Sequence, residues 1–99
     1  MSYDNAKDEL ILYTDNDFEM YRQRQPFLDN IKRRIKNKTY KPLAANKLWL
    51  YYVERAVRRY GKEIMSSEKA ALQAFPPKVR KEVAAYYARE AEKELGYRK

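Results

Sequence analysis

The sequence predicts an all-α fold: a small single-domain bundle of about four helices with short connections, spanning residues 1–99. Three observations predict it. Apolar residues recur at three- and four-residue intervals along most of the chain. The only glycines, Gly61 and Gly96, stand where helices would stop, and the four prolines fall near segment boundaries. No strand-like alternation competes: Leu10-Ile11-Leu12-Tyr13 is too short to pair unaided and has no hairpin turn beside it.

Taken in order, residues 1–9 read as a disordered acidic arm, and the Leu10–Tyr13 tetrapeptide as an apolar segment docked on the helices. Asp15-Asn16-Asp17 has the alternating oxygens of a calcium loop. A calcium-binding hand counted from Asp15 needs Gly at Met20 and Glu at Pro26, so these residues are better placed as the cap of a helix beginning near Phe18. That helix runs to about Lys38 with Phe18, Tyr21, Leu28, Ile31 and Ile35 on one stripe. Pro26 kinks it or divides it in two.

The clearest helix spans residues 42–60. Pro42 suits its first turn, and Ala45, Leu48, Trp49, Tyr52, Ala56 and Tyr60 form an apolar arc widened by Val53 and Val57. At about 100° per residue the opposite face carries Lys47, Tyr51, Glu54, Arg55 and Arg58, with Arg59 at its edge. Ser66-Ser67-Glu68 starts a short helix through about Ala74, with Ala71, Leu72 and Phe75 facing inward. Pro76-Pro77 opens the last helix, which reaches Leu95 and carries the stripe Val79, Val83, Tyr86, Tyr87. Glu90, Glu92, Lys93 and Glu94 read as its solvated end, and residues 96–99 as a frayed tail. The expected core is Trp49, Leu48, Tyr52, Ile31, Leu28, Ile35, Phe75, Val79 and Val83. A chain this short buries only about 60–65% of its unfolded surface, so ten Tyr, three Phe and one Trp must supply much of that core.

Charge is distributed in blocks within a net +8. From Tyr21 to Tyr60 twelve Lys or Arg face two acids, Asp29 and Glu54, whereas residues 1–20 hold six acids and one base. A basic middle of this kind points to an anionic partner, and an acidic arm folding over it would weaken non-specific binding. A solvated, soluble surface is the plain alternative.

The exclusions are firmer. Without Cys there is no disulfide or thiolate metal site, and without His the commonest metal ligand and the usual acid–base group at neutral pH are missing. The sequence shows no Walker loop, glycine-rich dinucleotide turn or zinc spacing. Glu54, Glu63, Glu82 and Glu90 lie among bases that keep them ionised, which suits ion pairs better than acid–base work. No enzymatic activity, cofactor or metal is expected. No apolar run approaches the roughly 20 residues of a membrane span, so no membrane association is expected and the cytoplasm is the default location.

Three pieces of the chain resemble a family of small uncharacterised phage and prophage proteins. They are Tyr13-Thr14-Asp15-Asn16-Asp17, Lys47-Leu48-Trp49-Leu50-Tyr51-Tyr52-Val53 with Tyr60-Gly61-Lys62-Glu63, and Phe75-Pro76-Pro77-Lys78-Val79-Arg80-Lys81-Glu82-Val83-Ala84. The resemblance covers roughly residues 10–90 and departs at residues 66–74. It carries no activity or cofactor. It implies an intracellular phage-associated setting in which small basic proteins bind nucleic acid or disable a host protein.

Two function classes lead. The first is a nucleic-acid binder of weak sequence specificity. Lys32, Arg33, Arg34, Lys36, Lys38 and Lys41 form its basic corner, extended by Lys47, Arg55, Arg58 and Arg59. Tyr51 is a ring among three cations: it suits stacking on a base while its neighbours hold phosphates, and equally suits cover by Arg side chains in cation–π contacts. The second is a protein-interaction module or phage-type inhibitor docking on an acidic host protein, with the same Arg and Tyr as anchors. A self-associating structural protein is a third reading, and the oligomeric state is left open.

Overall fold

A computed structural model describes residues 3–97. Its described residues form five α-helices: α1 (Tyr3–Asn16), α2 (Phe18–Lys36), α3 (Pro42–Tyr60), α4 (Glu68–Ala74) and α5 (Pro77–Glu94), with a π-helical turn at Gly61–Met65 between α3 and α4. The all-α expectation holds with one helix more than counted, and the extra helix is α1.

Residues 3–9, expected as a disordered arm, are helical. Ala6, Leu10 and Thr14 recur every fourth residue and are buried, so an acid-rich segment still presents a narrow stripe to the body of the protein. Residues 1 and 2 lie outside the described residues. One residue separates α1 from α2. Asp17 is the N-cap of α2, its side chain accepting from the Met20 amide, as the sequence led one to expect.

α2 is one helix with Pro26 inside it. The proline ring stands on the exposed face, where its missing amide is lost on the solvent side. The buried stripe differs from the expected one. Met20, Phe27 and Ile31 face inward, while Phe18 and Tyr21 are 75% and 63% exposed and Leu28 and Ile35 only partly covered. Both stripes have helical spacing and share Ile31. Arg24 occupies the core-facing position between Met20 and Phe27, and a cation there made the true stripe look polar.

α2 ends at Lys36, two residues before the expected stop, with Lys38 in the left-handed region (φ 60°). The Lys38 amide donates to the Ile35 carbonyl and the Thr39 amide to that of Arg34, the two bonds of a Schellman closure. α3 then begins at Pro42 and runs antiparallel to α2, as the cross-helix bonds Asp17–Arg59 and Arg24–Tyr52, and the hollow that Ile31 and Ala45 both line, require.

α3 is the central helix, and it packs on every other element. Trp49 stacks between Phe27 (5.5 Å between centroids, 28°) and Tyr87 (6.0 Å, 25°), and Tyr52 meets all three rings edge-on. Burial of four large rings joins α2, α3 and α5. Trp49, Tyr52, Ile31, Phe75, Val79 and Val83 are buried as expected, with Leu48 only partly so.

α3 ends as expected at Tyr60, but its C-cap Gly61 is not left-handed. Its backbone stays right-handed (φ −58°, ψ −44°) and the chain continues through the π turn to Ser66 at φ 54°. What requires glycine is proximity: a Cβ there would lie 2.8 Å from the Glu68 Cα and 2.8 Å from the Ser67 carbonyl oxygen. Ser67 caps α4, accepting from the Ala70 amide. Leu72 of α4, expected inward, is exposed, whereas Ala71 and Phe75 are buried.

The end of α5 stays on the body. Glu92 is only 2% exposed and its carboxylate accepts from the Tyr40 hydroxyl at 2.6 Å, so the expected solvated end holds for Glu90, Lys93 and Glu94 but not for Glu92. The expected frayed tail is ordered at residues 96 and 97. Gly96 (φ 76°) donates to the Lys93 carbonyl and Tyr97 to that of Glu92, and the Tyr97 ring stands edge-on to Tyr40 at 4.7 Å. Residues 98 and 99 lie outside the described residues.

Candidate functional site

The antiparallel pairing of α2 with α3 brings the basic run together in two concavities along one groove. At the end where α2 stops and α3 starts, Arg34, Tyr40, Lys41, Ala44, Lys47 and Tyr51 line a niche of about 240 Å³ together with the more covered Ile31, Ala45 and Leu48. At the other end, Arg55, Arg58, Arg59 and Lys62 surround a shallower cleft beside Met20 and Gln23. Lys47, Tyr51, Arg55 and Arg58 follow one another along α3 at helical spacing, so a single exposed ridge connects the two.

The remaining predicted cations stand apart from both concavities. Lys32, Arg33 and Lys36 are exposed on the last turns of α2, and Lys38 on the closure that follows. They extend the positive field without lining either hollow. Of the ten predicted cations only Arg59 is ion-paired with carboxylates among the described residues, with Asp17 and Glu63. The hydrogen bond from Arg59 holds the Asp17 carboxyl below its usual range, and Asp17 raises the Arg59 guanidinium in turn. Arg34 donates to Asn30, and Arg55 reaches Gln23 while its guanidinium lies 5.6 Å over the Phe27 ring.

Tyr51 is 68% exposed, and among the described residues no guanidinium covers it. The cation–π contacts expected there occur elsewhere. Arg24 lies over the rings of Tyr21, Tyr52 and Tyr87 at 5.7, 5.6 and 4.8 Å, with Nη2 on Asp15 Oδ1 (2.6 Å) and Nε donating to the Tyr52 hydroxyl (3.2 Å). Burial pushes this guanidinium toward its neutral form, but the bonds to Asp15 and Tyr52 outweigh that and raise its pKa. Tyr87 donates to the same Asp15 oxygen, and burial followed by that bond pushes its phenol well up. Arg24 is thereby a structural cation and withdrawn from the basic face.

Among the described side chains, no acid of α1 lines either concavity. Asp15 of α1 holds Arg24, Asp17 at the start of α2 holds Arg59, and Glu9 accepts from Tyr60. The ridge from Lys47 to Arg58 stays open. Glu54, which would offset it, is turned to Arg80 of α5, whose Nη1 meets both carboxylate oxygens at 3.0 and 2.9 Å. Glu63 and Glu90 are likewise ion-paired, with Arg59 and Lys93.

Tyr40, Gln23 and Lys62 are polar or aromatic lining residues that sequence reasoning missed. Lys62 lies four positions beyond Arg58 and would have been found had helical backbone been carried past Gly61. It also contacts Glu68 at 3.6 Å. Among the described residues no group of three or more acids is placed to hold a metal ion, and no helix is long and apolar enough to cross a membrane.

No protein-family model matches this chain, and neither a curated protein nor a solved structure matches it.

Proposed function

We propose that this protein is a non-enzymatic nucleic-acid binder that grips phosphates along the α2–α3 groove with weak sequence preference. One observation carries the reading: Arg34, Lys41 and Lys47 line one hollow between α2 and α3, Arg55 and Arg58 line a second between the same helices, and none of the five is neutralised by a carboxylate among the described residues. Charge left unpaired on one face of a small protein costs self-repulsion, which a polyanion relieves. The residues available there are Lys and Arg rather than a set of Asn and Gln aimed at base edges, so contacts fall mainly on phosphate.

The test is binding of the purified protein to labelled oligonucleotides across a salt series. Affinity should fall steeply with salt, by about 0.7–0.9 in the logarithmic slope for each phosphate engaged. Reversing Arg55 and Arg58 together to Glu should weaken binding at least about tenfold and flatten that slope. Undetectable binding of DNA and RNA at low salt refutes the reading.

A second reading draws on Leu43 and Tyr51, two large exposed side chains flanking Lys47 on α3. Tyr and Arg are favoured at protein hot spots, so an acidic host protein would dock on the same face. It calls for one dominant partner in a pull-down that survives nuclease treatment.

A further inference from the structure

The niche at the junction of α2 and α3 is poorly suited to a phosphate and well suited to a base. Its covered lining is the side chains of Ile31, Ala45 and Leu48, with the exposed Ala44 and the rings of Tyr40 and Tyr51 also lining it. A phosphate meeting such a lining loses water without gaining a partner, while a heteroaromatic ring gains apolar contact and stacking. The cations sit at the rim. Arg34 comes from the last turn of α2, Lys41 from the N-cap of α3 and Lys47 from its second turn, so three separate backbone positions surround the apolar centre.

Size narrows the ligand further. At about 240 Å³ the niche falls below the roughly 300–1,000 Å³ of a drug-sized ligand site, which fits one planar ring system and not a stacked pair. One wall is also held from behind. The Tyr40 hydroxyl is fixed on Glu92 at 2.6 Å and its ring is buttressed edge-on by Tyr97, so the niche is built before a ligand arrives. Beyond it the ridge runs Tyr51, Arg55, Arg58, Lys62, with a rise of about 6 Å between residues four apart, on the scale of one nucleotide step.

We infer that the niche takes one unstacked nucleobase of a single-stranded nucleic acid, with Tyr51 stacking on the base and Arg34, Lys41 and Lys47 holding the flanking phosphates. The inference rests on the nucleic-acid reading above and names its substrate class. In a duplex the bases are stacked on one another and cannot enter, so the duplex meets only the rim cations and the Arg55–Arg58 end of the groove.

The experiment is fluorescence anisotropy with a short labelled single strand, as DNA and as RNA, and a duplex of the same length, at fixed low salt. The full chain is compared with Tyr51→Ala, Tyr51→Phe and Ala44→Leu, the last plugging the niche from an exposed helical position without removing a ring or a charge. Thermal melts establish that each variant is folded. The expected result is at least about tenfold tighter binding of the single strand. Tyr51→Ala should lose about five- to hundredfold on the single strand and almost nothing on the duplex, Tyr51→Phe should retain affinity, and Ala44→Leu should behave like Tyr51→Ala. Equal affinity for single strand and duplex, indifferent to Tyr51→Ala and Ala44→Leu, overturns the niche assignment and leaves phosphate binding standing. Loss of binding to both forms in the unaltered protein overturns both.

Discussion

Arg59 and Asp17 form a two-armed ion pair, with Nε 2.7 Å from Oδ2 and Nη2 3.2 Å from Oδ1. Oδ2 also accepts from the Met20 amide at 2.9 Å, so one carboxylate caps α2 and ties its start to the end of α3. The pair thereby ties the two helices together beside the cleft that Arg55, Arg58 and Lys62 line with Arg59.

Two substitutions at Asp17 separate its roles. Asp17→Asn keeps an N-cap acceptor and loses the charge, and should cost less than about 1 kcal/mol; Asp17→Ala loses both and should cost about 1–3 kcal/mol. Because Arg59 depresses the native carboxyl, its contribution is complete above about pH 4 and disappears as pH falls through the lowered native value. Urea melts between neutrality and acid should show that part of the pH dependence missing from Asp17→Asn.

At the alkaline end the tyrosines govern. The Tyr60 phenol, donating to Glu9 at 2.6 Å, is pushed up to about 12 by that hydrogen bond and then by burial. Tyr13, whose ring meets Tyr60 edge-on, is pushed up to about 12 first by burial and then by the charges of Asp17 and Glu63. Folding favours both neutral phenols, so this contribution is full below about pH 10 and is lost between about 10 and 12. Tyr60→Phe should flatten the loss of stability across that window, and Glu9→Gln should bring the Tyr60 titration down in an ultraviolet phenolate assay.

Gly61→Ala should destabilise by about 1–3 kcal/mol through overpacking, although Ala is the better helix former. The added methyl meets backbone atoms of Ser67 and Glu68 that cannot step aside as a flexible side chain would. A chemical melt as stable as that of the parent would show that α4 can shift at no cost.

Lys38→Gly tests strain and site together. Relief of a left-handed non-glycine residue, set against the entropy glycine loses on folding, should raise stability by about 0.5–1 kcal/mol. Lys38 lines neither concavity, so nucleic-acid affinity should change only by the loss of one distant charge.

Periodicity and punctuation made α3 and α5 legible in the sequence, because their apolar arcs are wide and prolines stand at their starts. α1 was hidden by the narrowness of its Ala6–Leu10–Thr14 stripe among acids. α2 was recognised but turned the wrong way, since Arg24 stands on its inner face and only tertiary partners reveal why a guanidinium is tolerated there. For the site, the clustering of Arg34, Lys41, Lys47 and Tyr51 follows from antiparallel packing of neighbouring helices. Glu54 facing Arg80, and Glu92 beneath Tyr40, depend on contacts between residues far apart in the chain that no local pattern encodes.

Tyr97 backs the Tyr40 ring, so the closure that follows α5 touches a residue lining the niche, and linkage predicts that each biases the other. Occupancy at the α2–α3 junction should slow amide exchange at the distal terminus, and clipping or fraying that terminus should speed release. Distance along the chain gives no insulation here: Tyr40 and Tyr97, far apart in sequence, meet ring to ring.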